Sequence, residues 1–154
     1  MSERLADYLC LIPIFSALQP DELQAIEKFM FFNKIESGEY VFKEGEKGDY
    51  VCFVASGALD VIKLNHNAQP VIITTLAKGS SIGEMALIDK LTRSASVRAC
   101  TPTNLIVLTR KGFDLILKLH PAIGIKILKG VASLLSINLR NTSDKLAEFM
   151  PPLT

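Results

Sequence analysis

An α+β fold, an antiparallel β-sandwich or roll with helices at both ends, is what this sequence predicts. Three observations carry the prediction. The first thirty or so residues and the last forty-five show helical spacing, the middle shows short β-like runs broken by turn residues, and 49% hydrophobic residues over 154 positions suffice for one buried core. The expected divisions are N-terminal helices over 1–30, a roll over 31–109 and C-terminal helices over 110–150, in a single domain spanning 1–154.

Taken in order, Pro20, Asp21 and Glu22 form a helix start, with proline at the first position and acids at the positive end of the dipole. Leu23, Ile26, Phe29 and Met30 follow at helical spacing. Upstream, Tyr8 to Leu18 is apolar, but Glu3 and Asp7 precede it and Pro13 interrupts it, which suits a segment packed on the core better than a signal peptide. The β-like runs are 31–35, 39–42, 50–55, 58–64, 71–76, 94–99 and 104–109, with Gly57 expected to turn a tight hairpin. Phe113, Ile116, Leu117 and Leu119 predict a short helix ended by His120-Pro121. A long helix then runs from about Ala122 to Phe149, stopped by Pro151-Pro152. Its stripe of Leu128, Val131, Leu135, Asn138, Thr142, Leu146 and Phe149 has the spacing of a helix–helix seam. Asn138 and Thr142 are polar positions in it, so a neighbouring helix, a ligand or solvent must satisfy them.

Composition narrows the function. Lys and Arg number 17 against 16 Asp and Glu, so no global charge attracts nucleic acid or an anionic membrane. No uninterrupted apolar run approaches the roughly 18 residues of a spanning helix. Cys10, Cys52 and Cys100 are odd in number and far apart, as expected of reduced thiols in a cytoplasm. With His66 and His120 alone and no clustered ligands, neither a metal site nor an enzyme is expected.

The segment from Gly79 to Ala99 breaks the β pattern with Gly83-Glu84-Met85-Ala86-Leu87-Ile88, a helical turn too short to stand alone. Such a turn offers backbone N–H groups to an anion, and Gly83 allows close approach. Arg93 can grip a phosphate-like oxyanion in two-pronged fashion. Glu84 can accept from a hydroxyl, which a bare phosphate site does not need. An anion together with a hydroxyl is what the phosphate and ribose of a nucleotide supply. Taken singly, Glu84 also reads as a capping residue, and Arg93 as a solvated surface arginine. Arg98 reads as a surface or ion-pair residue. Lys43, Glu44, Glu46, Lys47 and Asp49 read as a solvated turn.

Gly83-Glu84-x-Ala86-Leu87, five residues, then Arg93-Ser94-Ala95-Ser96-Val97 resembles the phosphate-binding cassette, here 83–97, of the cyclic-nucleotide-binding domain family. Gly38-Glu39, Glu44-Gly45, Gly48-Asp49 and Ser56-Gly57 resemble the glycine-marked roll of that family in order and spacing. Leu139 to Lys145 is similar to the dimer helix of the bacterial catabolite-activator type. The resemblance implies a jelly-roll (double-stranded β-helix) and a regulatory module that binds cAMP ahead of cGMP, without a cofactor. It implies a ligand set of Gly83, Glu84, Met85, Ala86, Arg93, Ser94, Ala95, Thr142 and Ser143. Within that set Arg93 holds the cyclic phosphate and Glu84 the ribose 2′-hydroxyl. Backbone groups at Gly83 and near Ala86, with Ser94, complete the phosphate cradle. Thr142 meets the base in its own subunit, and Ser143 meets it in the neighbouring subunit of a homodimer formed through the C-terminal helix.

Ile82 stands where many members carry phenylalanine, and Asn138 where the catabolite-activator type carries arginine. Members that select guanine often have threonine after the cassette arginine, a position held here by Ser94. The chain ends at Thr154 without a helix-turn-helix, so DNA binding by that route is not expected. The expected output is a repositioned C-terminal helix read by a dimer mate or a protein effector. The competing reading is a scaffold or dimerisation domain that keeps the roll and ignores nucleotide.

Overall fold

A computed structural model of the chain describes residues 4–153. Helices α1 (Leu5–Leu9) and α2 (Pro20–Ile26) come first. Eight strands follow: β1 (Met30–Ile35), β2 (Tyr40–Phe42), β3 (Tyr50–Ser56), β4 (Ala58–Leu64), β5 (Pro70–Ala77), β6 (Ser81–Ile82), β7 (Ser96–Ala99) and β8 (Thr103–Thr109). Helices α3 (Arg110–Leu119) and α4 (Pro121–Phe149) close the chain. Two antiparallel four-stranded sheets, ordered β1-β8-β3-β6 and β2-β7-β4-β5, pack face to face as the predicted roll.

The layering is set by β3 and β8. Side chains alternate across a strand. Val51, Phe53 and Ala55 of β3, with Ile106 and Leu108 of β8, pack on the helices beside Phe15, Phe113 and Ile127. Cys52 and Val54, with Leu105 and Val107, point the other way, into the space between the sheets, against Phe42, Leu59 and Val97. Both strands are buried on both faces, which explains their unbroken apolar runs. The N-terminal segment lies on this core through Leu9, Ile12, Ile14, Phe15 and Leu18, as expected.

Some details differ from expectation. Gly57 has the positive φ, 94°, that a glycine turn requires, but it closes no hairpin. β3 and β4 belong to different sheets, so Gly57 carries the chain around the corner between them. Met30 starts β1 instead of ending the helical region. The strand read from 94 begins at Ser96, and β6 is an unpredicted two-residue strand against Cys52 and Phe53. Helix α4 has no uninterrupted apolar run of spanning length, yet taken whole it is long and apolar enough to cross a membrane. Its first half is committed to the core through Ile123, Ile127 and Val131.

Gly130 fixes where α4 lies. A Cβ there would press into the carbonyl of Ile14, in the single 3₁₀ turn Pro13–Phe15, with Ile14 Cα at 3.0 Å. Helix propensity favours alanine over glycine by about 1 kcal/mol, while this contact opposes it. Gly130→Ala is therefore expected to lower Tm by at least about 3 °C, whereas exposed Ser136→Ala should leave it level or raise it. Thermal unfolding followed by circular dichroism measures both.

Candidate functional site

A cavity of about 530 Å³ opens between the β2-β7-β4-β5 sheet, the segment 81–97 and α4. Its floor is apolar, formed by Phe42, Val61, Leu76 and Val97. Gly83, in the left-handed region at φ 76°, turns the chain out of β6 into the 3₁₀ turn Glu84–Leu87. A side chain at Gly83 would collide with the Arg93 guanidinium.

Arg93 is 6% exposed. Its Nη2 donates to the carbonyl of Tyr50 at 2.7 Å and its Nη1 to that of Gly83 at 3.4 Å. The guanidinium carbon stands 4.0 Å from the centre of the Phe42 ring and 4.7 Å from that of Tyr50. Gly48 lies against its other side, where a Cβ would come within 2.5 Å of Nε. Among the described residues no carboxylate reaches it as a salt bridge. Its buried Nε donates to nothing. A buried cation held only by carbonyls and ring faces, with one N–H unused, is under-neutralised and fits an anion.

Glu84, 9% exposed, sits at the start of the same turn. Burial raises its carboxyl pKa above the usual carboxylate value, and the backbone hydrogen bond and nearby Arg93 only partly oppose the shift. A carboxylate desolvated in this way gains from accepting a hydrogen bond from a hydroxyl. Cys52, behind the site, is raised to about 12 by burial, so its thiol stays protonated.

Of the nine residues expected, Gly83, Glu84, Met85, Ala86, Arg93, Ser94, Ala95 and Thr142 all line this one cavity. Ser143 does not; it is exposed on another side of α4, as the rotation of about 100° per helical residue requires. Thr142 lies one turn beyond Asn138 and donates its hydroxyl to the Asn138 carbonyl at 2.8 Å. Asn138 also faces the cavity, so the polar part of the stripe turns towards a ligand space and not towards a helix of the same chain. Arg98 forms no ion pair among those described and stands 5.9 Å from the Tyr40 ring centre.

Several residues in or around the cavity were not picked out from the sequence. Asn141 and Lys145 join the wall at three and seven positions after Asn138, a spacing that helical periodicity could have supplied. Phe42 and Tyr50 left no such signal, because the sheets alone bring them over Arg93. Arg110 was also missed. It donates to the carbonyls of Ala86 and Gly48 at 2.9 and 3.1 Å, and to that of Asp89.

The sequence and the fold also have known relatives. The profile of the cyclic nucleotide-binding domain matches residues 32–120. A cGMP-dependent protein kinase of Plasmodium berghei is 38% identical over 105 residues, 68% of this chain and 12% of the kinase. The cyclic AMP receptor protein of Thermus thermophilus is 28% identical over 134 residues, 87% of this chain and 60% of that protein. The chain thus spans only part of the length of these relatives. The crystal structure of a cyclic nucleotide-binding domain from Methylobacillus flagellatus superposes with a TM-score of 0.85 at 27% identity, covering 97% of this chain and 84% of the other. With the roll, the cassette and the buried arginine all in place, the chain belongs to the cyclic nucleotide-binding domain family.

Proposed function

We propose that this domain is a non-enzymatic sensor that binds cAMP ahead of cGMP in the cavity beside Arg93 and passes occupancy on through α4. The buried, under-neutralised Arg93 with its unused Nε–H carries the reading. A cyclic phosphate supplies one negative charge and acceptor oxygens to that group, with the turn after Gly83 alongside. Ser94 and Ala95 also line the cavity, and Glu84 takes the ribose 2′-hydroxyl.

The preference for adenine follows from Thr142. Its hydroxyl proton is committed to the Asn138 carbonyl, so it offers only lone pairs to the cavity. The exocyclic amine of adenine donates to such a group, whereas guanine presents a carbonyl oxygen at the matching edge. The Thermus relative is a cyclic AMP receptor protein, and the Plasmodium relative a cGMP-dependent kinase. Thr142 is the feature that favours the first.

The second half of α4 exposes Leu139, Leu146 and Phe149 along one side, the last two at 54% and 84%. We assign this face to a second copy of the chain, which would bring Ser143 to the cavity of its mate. Base contacts at Thr142 give the two positions of α4 different affinities for ligand, the condition for any ligand-driven shift. A dimer mate or a protein effector reads the shift. Cys10 and Cys100, free and exposed, suit the reducing cytoplasm in which we place the domain.

Isothermal titration should show cAMP binding more tightly than cGMP, and Arg93→Ala should weaken cAMP by about 100-fold or more. Equal affinity in the variant would remove Arg93 from the site, and no binding at millimolar nucleotide would leave the scaffold reading standing.

Glu84 predicts a pH effect on the unliganded protein. Its folded-state pKa is raised, so the fold prefers the neutral acid and loses stability as pH rises above about 4.5 through the raised value. Glu84→Gln, which never ionises, should have the higher Tm at pH 7, a gain that shrinks towards pH 4, while its cAMP affinity falls. A gain independent of pH would show that ionisation of Glu84 is not the cause.

In sedimentation equilibrium the wild type should be dimeric and Leu139→Glu, at an exposed α4 position, monomeric; a monomeric wild type would refute the paired helix.

A further inference from the structure

Arg110 is the first residue of α3, directly after β8, where the roll meets the C-terminal helices. It forms no salt bridge among the described residues. Its guanidinium serves carbonyls only. Nε donates to Ala86 at 2.9 Å, inside the 3₁₀ turn, and Nη2 is shared between Asp89, just after that turn, and Gly48 at 3.1 Å. Gly48 is also the residue packed against Arg93 Nε. The backbone N–H of Arg110 donates to Asp49 at 2.7 Å, tying the same corner a second time.

One planar side chain therefore holds the carbonyl side of the turn whose opposite side lines the ligand cavity. The fork is rigid, so these acceptors cannot move independently of the start of α3. Helix α3 in turn packs closely on α4, where a Cβ at Gly124 would meet Leu117 Cα at 3.2 Å. α4 then carries Asn138, Thr142 and Lys145 into the far wall of the cavity. The phosphate end and the base end of the site are joined through Arg110, α3 and α4 by continuous contact.

We infer that Arg110 is a positioning residue that sets the phosphate-binding turn and couples its displacement to α3 and α4. The inference rests on the cyclic-nucleotide reading for the ligand, though not for the contact itself. Coupling of this kind is reciprocal, so ligand at the turn biases α4 and the position of α4 biases ligand affinity. A lysine at 110 keeps the charge but replaces the fork with a single ammonium at the end of a flexible stem.

The test uses the whole chain with Arg110→Lys and Arg110→Ala, followed by amide hydrogen exchange and cAMP titration. Arg110→Lys should remain folded, with the amides of 84–89 exchanging at least about tenfold faster without ligand and the Kd for cAMP raised at least about tenfold. At saturating cAMP it should also lose the protection that wild type gains over 130–145. Arg110→Ala should show the same changes, larger, and if it fails to fold the lysine variant alone decides. Lower Tm with unchanged exchange at 84–89 and unchanged ligand protection of α4 would overturn the inference and leave Arg110 a packing residue. If wild type bound neither cAMP nor cGMP, the binding reading would fail on its own. Exchange of 84–89 in the unliganded variants would still decide whether Arg110 holds the turn.

Discussion

A positive charge buried without a matching negative charge is the constraint around which the site is built. Arg93 lies among two carbonyls, two aromatic faces and two glycines, none of which neutralises it. Ring quadrupoles and carbonyl dipoles make the burial tolerable without satisfying Nε. Such a group lowers the free energy of whatever anion it meets, and the cavity beside it is large enough for more than a bare phosphate. The same low-polarity surroundings raise the pKa of Glu84, so the cavity pairs an eager cation with a reluctant carboxylate.

That arrangement needs a rigid frame, and β3 and β8 supply it. Because both strands bury both faces, one layer of side chains anchors the helices while the other fills the space between the sheets. Tyr50 begins β3, so its carbonyl and ring are fixed where Arg93 must reach them. At the other end of the chain, Thr109 ends β8 and caps α3 by accepting from the Gly112 N–H at 3.0 Å. The roll thus sets both the Arg93 end of the cavity and the starting direction of the helices that wall its other end.

Most of the architecture was legible in the sequence because periodicity reports burial directly. The α4 stripe, the break at His120-Pro121 and the long β-like middle all correspond to observed elements. Gly57 shows the limit. Its conformation could be read locally, but whether the chain turns back or crosses to another sheet depends on partners far along the sequence. In the site, the cassette residues lie close together in sequence and were read as a unit. The stack of Phe42 and Tyr50 on Arg93 and the carbonyl contacts of Arg110 were not, since each joins residues tens of positions apart and uses backbone atoms that no residue type announces.

The most direct measurement is the NMR signal of the Arg93 Nε–H in protein labelled with nitrogen-15 arginine, recorded with and without cAMP. Nucleotide should move that one resonance strongly downfield and slow its exchange with water, as a free donor acquires a phosphate oxygen. An Nε–H signal left unmoved at saturating cAMP would contradict the account, because the phosphate would then be held by other groups.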